Sequence, residues 1–598
     1  MTDIETDVLV VGAGPAGATA ALALASYGVQ VICLNKYRST SPTPRAHITN
    51  QRAMEILREF GLERQAMAVA TPHQLMRDNV YCTSLAGQEL GRFEAWSTHP
   101  LLQAQHDLAS PCMMVDLTQE MMEPILVTEA TRRGARVRFD TELASFTQDE
   151  DGVTATVLDR VTGAQYRIRA RYMIGADGGN SLVVQQLGLR LQGKSKLGAS
   201  IGIGFRADLR RFIEHRPGDM YWMIQPGHGI MGYGIGGLRL VRAWDRWIAS
   251  WGYDPAEPPP ELSDAEAIAV VHRLLGDDTI PVKLEATTTW MINEIHATLL
   301  RSGRVFAMGD AVHRHPPMNG LGSNTALQDA YNLAWKLALV LAGQAGEALL
   351  DSYDAERQPV AEGLVGKTMR NMALFGQIAT ALGLTRHAQD QAEMDALVAA
   401  FEAPTTAGML RRREFREAMA GLVYGFSAVG GEFNLRYVSG AVIPDDVDLT
   451  VEDPELQVIL GLQSGRRLPH VWLTERQHRV SSLDLCGGGA FTLLTGLAGQ
   501  AWQAAARQVS QRLGLPITVH VVGPRQRYED PYGDFARLCL PDETGAILVR
   551  PDHVVAWHVD AMPGQPAEAL QAVLSSVLGL APAAASGPAS TSQPVPVS

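Results

Sequence analysis

At 598 residues the chain is too long for one compact core, and its 46% apolar fraction is enough to build three or more globular units. A net charge of −13, with no basic stripe to offset it, excludes nucleic acid and anionic membrane surfaces as partners. Cys33, Cys82, Cys112, Cys486 and Cys539 show no metal-ligand or redox spacing, and no apolar run reaches the ~20 residues of a membrane span. With an acidic N-terminus that enters a strand at once, these features predict a cytoplasmic protein without disulfide framework, membrane anchor or signal segment.

Asp7–Val11 is a short apolar run of the kind that forms a buried parallel strand. Gly12-Ala13-Gly14-Pro15-Ala16-Gly17 follows and opens an Ala- and Leu-rich helix, Ala18–Tyr27, which Gly28 ends before a second strand, Val29–Leu34. The G-x-G-x-x-G thus stands in a βαβ unit. Gly12 permits the tight turn, Gly14 lets backbone approach a pyrophosphate, Gly17 lets helix and strand pack closely, and the helix N-terminus offers N–H groups to the anion. The second strand ends at Asn35 instead of the acid usual at an adenosine ribose, so an amide is expected to make that contact.

Further on, Arg136–Asp140, Val153–Asp159, Tyr166–Arg169 and Tyr172–Gly175 alternate like strands, with turns at Asp151-Gly152 and Thr162-Gly163. From Gly193 to His296 the chain is aromatic and strand-like, including Tyr221–Gln225 and Trp247–Trp251. A second glycine-containing segment, Gly303–Asn324, leads into a predicted helix over Thr325–Ala342, and Ala361–Gly421 reads as mostly helical. The last region has strands at His470–Leu473, Phe491–Thr495 and Ile517–Val522 and a helix over Ala501–Leu513. A hairpin, Ala546–Arg550 with His553–Trp557, turns at Pro551-Asp552, and the Ala-, Pro- and Ser-rich tail from Ala581 predicts disorder.

The N-terminal motif does not separate FAD from NAD, but two later segments do. Gly175-Ala176-Asp177-Gly178 follows a strand and resembles the DG motif of class A flavoprotein monooxygenases. Gly309-Asp310-Ala311-Val312-His313, running on to Pro317, Gly320, Gly322 and Asn324, resembles their second FAD signature. Pro42–Arg52, Asp310–Pro317 and Tyr528–Asp534 extend the resemblance over almost the full length, to the phenol and chlorophenol hydroxylases of that group.

The resemblance implies an α/β fold. A Rossmann-like FAD-binding domain would span 1–195 and 297–365, with an inserted substrate-binding β-sheet domain at 196–296. A helical connector (366–435), a thioredoxin-like domain without C-x-x-C (436–580) and the tail 581–598 would follow. It implies non-covalent FAD held by Gly12, Gly14, Gly17, Asn35, Arg45, Gln119, Asp177, Asp310, Gly320, Gly322 and Asn324. NAD(P)H would bind transiently, since no second G-x-G-x-x-G stands in a βαβ unit. The family often has an Arg shortly after the DG motif, where this chain has Val183-Val184.

In these relatives reduced flavin activates O2 as a hydroperoxide that hydroxylates a phenol next to its existing hydroxyl, giving a catechol. The ring must be electron-rich, so a base that generates phenolate is worth ~10²–10⁴-fold. Alignment with the helix starting near Arg52 puts His47 where phenol hydroxylases carry a catalytic aspartate, and an imidazole suits that task. Asn293 falls where they place a phenol-contacting tyrosine, the Pro317 carbonyl would lie near the reacting ring, and Trp222, Met223 and Gln225 are candidate pocket residues. For each a plain structural role is the competing reading. The expected partners are a phenolic small molecule and O2, with self-association into a dimer or tetramer. A hydroxylase of polyketides or other substituted phenols, and a flavoprotein that only reduces or binds, remain open alternatives.

Overall fold

The computed structural model describes residues 3–385, 390–540 and 542–580, and the tail predicted from Ala581 lies outside them. Five parallel strands form the frame of the first sheet, in the order Val305–Ala307, Gln165–Gly175, Asp3–Val11, Val31–Leu34 and Arg136–Arg138. The apolar ends Val8–Val11, Val31–Leu34 and Tyr172–Ile174 and the strand Val305–Ala307 are buried on both faces, which fits their apolar content. The helix Pro15–Ser26 begins with a proline, which loses no hydrogen bond in a first turn, and its alanines from Ala16 to Ala23 are buried against the helices Gln119–Arg132 and Leu321–Leu341. The predicted Thr325–Ala342 helix thus starts four residues earlier than the sequence suggested.

The second sheet has eight strands: His313–Arg314, Lys283–Ala297, Leu191–Arg206, Arg246–Tyr253, Ile235–Arg242, Met220–Ile224, Asp78–Cys82 and Glu89–Glu94, in that order. The expected 196–296 boundary is therefore too narrow. Asp78–Cys82 pairs in parallel with Met220–Ile224, placing Tyr81 beside Trp222. No local pattern announces a pairing across 140 residues. One face of this sheet is covered by the helix Asp264–Leu275. The other is covered by the connector helices Asp351–Leu382, Gln391–Glu402 and Thr406–Gly421 through Phe375, Phe401 and Phe415.

The C-terminal unit is a four-stranded sheet in the order Ile517–Val522, Phe491–Gly496, Ala546–Val549, Val555–Val559, with Ala501–Leu513 and Pro566–Val577 packed together on one face. That face shares a core with the first domain, where Trp335 meets Phe491 edge-on. Buried charges close the joint: Arg550 bonds Glu356 at 2.6 and 2.9 Å and Asp552 at 2.6 Å, and Lys336 bonds Glu356 at 2.9 Å. The hairpin tip also accepts from Tyr331 at the Pro551 carbonyl and from Arg52 at the Asp552 carbonyl, both 2.9 Å. The unit is thus bolted to the two helices whose leading loops build the site described next. Its thiols, Cys486 and Cys539, are buried, and burial pushes both well above the ordinary thiol value.

Candidate active site

Val11, Leu34, Gly175 and Ala307 end their strands in register, so the turns that follow meet along one edge. In open α/β sheets that edge is where ligands bind. Gly12 has φ +103°, and a Cβ there would collide with the Ala176 carbonyl; one on Gly17 would collide with the Gly12 carbonyl. Both glycines are therefore demanded by backbone packing. Gly14 differs: a Cβ would meet nothing closer than Glu123 Oε1 at 3.8 Å, which leaves an open cradle at the N-terminus of the helix Pro15–Ser26.

Two charged groups face this edge without partners. The Arg45 side chain is exposed and its guanidinium has no hydrogen bond or ion pair among the described residues, yet its charge acts on both Glu123 and Asp310. Asp310, just beyond the strand ending at Ala307, is also exposed and unbonded. Desolvation raises its carboxyl above the ordinary value against the pull of His313, Arg314 and Arg45. An anion cradle, a free arginine and a free carboxylate suited to ribityl hydroxyls fit a dinucleotide such as FAD. Gln119 supports the arginine, its N–H donating to the Arg45 carbonyl at 2.8 Å while its amide donates to Glu123 at 2.5 Å. Glu123, which the sequence did not single out, also accepts from Ser41 N–H at 2.6 Å.

Three expected ligands are engaged elsewhere. Asn35 closes its own loop, accepting from Tyr37 N–H and donating to the Ser39 carbonyl, both at 3.3 Å. Asp177 caps the helix Leu182–Leu187, accepting from Ser181 Oγ at 2.5 Å and from the N–H groups of Leu182 and Val183 at 2.7 and 3.2 Å. Val183 of that helix packs on Gly175, while Arg314 reaches the same loop and donates to the Gly179 carbonyl at 2.7 Å.

Asn324, fully buried, donates to the carbonyls of Ile48 (2.8 Å) and Gly320 (2.6 Å) and accepts from Asn50 N–H (3.0 Å). It is a brace tying the Gly320 loop to the His47 loop. Gly320, at φ +60°, permits that contact, because a Cβ would sit 2.5 Å from Ile48 Cβ. Gly322 has open space, with His315 Nε2 at 3.6 Å as the nearest atom.

His47 is buried at the head of the strand Ile48–Thr49, which pairs with Val115–Asp116. Its Nδ1 lies 3.1 and 3.3 Å from the two Asp116 oxygens, and its Nε2 is buried without a partner among the described residues. Burial, with the Arg239 charge, lowers the imidazole below its ordinary value against the opposing pull of Asp116. Burial works to raise Asp116, but His47 and Arg239 outweigh it and hold the carboxyl below the usual range. Arg239 lies 3.5 Å from Asp116 and 3.2 Å from Asp219. Asp219 accepts from Trp96 Nε1 at 2.9 Å and from the Asn79 amide at 3.4 Å, and Asn79 in turn accepts from Trp222 Nε1 at 3.1 Å. Burial and the Asp116 charge, opposed by Arg239, push Asp219 up to about 7. None of Asp116, Arg239 and Asp219 stood out in the sequence. The available signal was a charge at a core position of a strand, as in Leu238-Arg239-Leu240.

The pocket-wall candidates divide by strand alternation. Trp222 shares an apolar cluster with Ile48, Met318 and Phe375 on the face toward the His47 loop. Met223 points the other way, into the core under Asp264–Leu275. Gln225 follows it and spends its amide on the carbonyls of Thr83 and Arg273 at 3.1 and 2.6 Å. Neither lines the site, because neighbours on a strand alternate faces. Asn293 is bound within its own sheet, accepting from Lys196 N–H at 3.3 Å and donating to the Met291 carbonyl at 3.1 Å. Pro317 is exposed beside Met318, which belongs to the Trp222 cluster. His313 and His315 stack with ring centroids 6.4 Å apart, His313 Nε2 pairing with Asp329 at 2.9 Å and His315 Nδ1 donating to the Pro316 carbonyl at 2.7 Å.

The frame and the cradle define a flavin-binding oxygenase fold, and sequence profiles agree. The FAD binding domain profile matches residues 5–368, and that of the aromatic-ring hydroxylase C-terminal region matches 462–581. The chain belongs to the FAD-dependent aromatic-ring hydroxylases and is a flavin monooxygenase. It is 50% identical to 2,4-dichlorophenol 6-monooxygenase of Delftia acidovorans, over 97% of this chain and 99% of that protein. Phenol 2-monooxygenase of Pseudomonas sp. strain EST1001 is 43% identical over 96% of this chain and 93% of its own length. The solved structure of the flavin-dependent monooxygenase PieE with FAD and substrate superposes with a TM-score of 0.92 at 39% identity, covering 97% of this chain and all of that one.

Proposed function

We propose that the protein hydroxylates a phenol or chlorophenol ortho to its hydroxyl group, giving a catechol at the expense of NAD(P)H and O2, with His47 as the general base. The observation that carries this reading is a buried imidazole whose Nδ1 is held by Asp116 while Nε2 has no partner among the described residues. FAD, held by the Gly14 cradle, Arg45 and Asp310, supplies the oxygen-activating redox chemistry that a closed-shell aromatic cannot undergo with O2 alone. The chain's own part is binding, orientation and proton control. His47 Nε2 takes the phenol proton, which makes the ring electron-rich. The apolar wall of Trp222, Phe375 and Met318 excludes water.

The relatives named for phenol and dichlorophenol support a single substituted ring. So does the crowding of that wall, where Trp222 stacks on Tyr81 at 6.1 Å and meets Phe375 edge-on at 5.0 Å. We also place the protein in the cytoplasm, a reading supported by five free, buried cysteines, and expect it to be a dimer or tetramer. No helix among the described residues is long and apolar enough to cross a membrane. Light scattering of the purified protein tests the assembly.

Turnover of His47→Ala with a phenol series tests the base. FAD content stays at the wild-type level, and hydroxylation of unsubstituted phenol falls roughly 10²-fold or more. The loss shrinks for phenols acidic enough to ionise in solution. Equal turnover of wild type and variant at neutral pH removes His47 from the mechanism.

A further inference from the structure

The arrangement around His47 contains more than a base. Its ring is faced by two strands, Val115–Asp116 and Ile235–Arg242, which bring Asp116 and Arg239. A third ionisable group, Asp219, follows behind Arg239 and precedes the strand Met220–Ile224. Asp116 and Asp219 have fully buried side chains, and Arg239 lies between them. Buried charges of this kind are costly unless each is paired, and this cluster joins the strand that carries Asp116 to the second sheet that carries Arg239, right beside His47, which invites a functional account.

We propose that Asp116 and Arg239 are positioning residues for the hydroxylation, Asp116 fixing His47 with its proton on Nδ1 and Arg239 fixing the Asp116 carboxylate. The proposal rests on the reading of His47 as the base. A neutral imidazole has one donor nitrogen and one acceptor nitrogen. Asp116 accepts only, so the Nδ1–H donates to it and the lone pair is left on Nε2, the atom without a partner. When the phenol O–H bond breaks, its electron pair stays on the phenolate oxygen and the proton goes to Nε2. The resulting imidazolium keeps its Nδ1–H on the Asp116 carboxylate, and no proton moves to Asp116.

Arg239 donates to Asp116 Oδ2 and to Asp219 Oδ2, so the Asp116 oxygen that it holds cannot swing away. Asp219 is anchored in turn by Trp96 and Asn79, and Asn79 by Trp222 of the apolar wall. The base is thereby set against the wall by a continuous hydrogen-bonded chain from His47 to Trp222.

Asp116→Asn in the FAD-loaded full chain tests this. Arg239 would keep the amide oxygen and turn the amide NH2 toward His47 Nδ1, moving the ring proton to Nε2 and removing the lone pair. Expected are wild-type FAD content, a KM for phenol changed by no more than a few-fold, and a kcat lower by ~10²–10⁴-fold. The kcat loss shrinks as assay pH rises toward the substrate's own pKa, and across the series as the phenols become more acidic. A merely structural Asp116 would instead give one loss for every phenol at every pH, and that result overturns the proposal.

Arg239→Lys, which keeps the charge but shortens its reach, gives a smaller loss with the same dependence on phenol acidity. If Asp116→Asn does not fold, this variant decides, and wild-type turnover in it overturns the role of Arg239. His47→Ala separates the two levels. An acidity-graded loss in His47→Ala but not in Asp116→Asn defeats the positioning role alone. A flat response in His47→Ala defeats the base assignment beneath it.

Discussion

Gly14→Val separates cofactor binding from folding. The Gly14 backbone lies at φ −70°, ψ −174°, which any residue adopts, and a Cβ there would have 3.8 Å of clearance to Glu123. Valine at this N-cap position costs the helix about 1 kcal/mol, which lowers Tm by ~2–4 °C for a domain of this size. The cradle, by contrast, is filled. Losing even one charge-assisted hydrogen bond between backbone and phosphate costs ~1.5–3 kcal/mol, or about 10–150-fold in Kd for FAD. Flavin absorbance per protein after gel filtration, beside the melting curve, reads both effects. The variant is expected to be colourless and folded. Gly17→Ala, whose Cβ would collide with the Gly12 carbonyl, is expected to lose the fold as well. A yellow Gly14→Val protein would refute the placement of the pyrophosphate.

Burial depresses several histidines, His106 and His470 to about 3 and His315 to about 4. The unfolded chain takes up protons near the ordinary value of ~6.5, where the folded chain does not. Stability therefore falls as pH drops from ~6.5 to ~4, by at most about 1.4 kcal/mol per pH unit for each histidine. His470→Gln flattens the dependence of Tm on pH, and an unchanged slope would count against that burial. Glu356→Gln leaves Arg550 and Lys336 without their shared carboxylate and costs ~3–5 kcal/mol, read as a lower denaturation midpoint. Cys486→Ala with Cys539→Ala leaves kcat unchanged at constant FAD content, whereas a loss of rate would assign those buried thiols a role. Heat or acid precipitation releases FAD to the supernatant, and flavin retained in the pellet would indicate covalent attachment.

Elements with local signals were legible in the sequence. The βαβ unit at Asp3–Leu34 and the strand Ile517–Val522 needed only apolar runs bounded by turn residues. Asn324 illustrates the limit of motif reading. Its position in the second flavin signature was plain, but its three bonds are to backbone that folding brings from residues 48, 50 and 320. Asp177 and Asn35 show the same limit, since a short polar side chain at a strand end is as fit to cap or close a turn as to hold a ligand. Met223 and Gln225 sit on a strand the sequence indicated, but periodicity gives alternation without saying which face is wet. Asp116 lies on a two-residue strand 69 residues from His47, and only the pairing of Ile48 with Asp116 joins them.

The central claim is tested most directly by turnover of the FAD-loaded enzyme with NAD(P)H, 18O2 and a phenol carrying a free ortho position, followed by mass spectrometry of the product. The account predicts a catechol with its new hydroxyl ortho to the old one, carrying one 18O atom and formed as NAD(P)H is consumed. NAD(P)H oxidation that the phenol stimulates but that yields no hydroxylated ring across the series, or a product whose new oxygen comes from water, would contradict it.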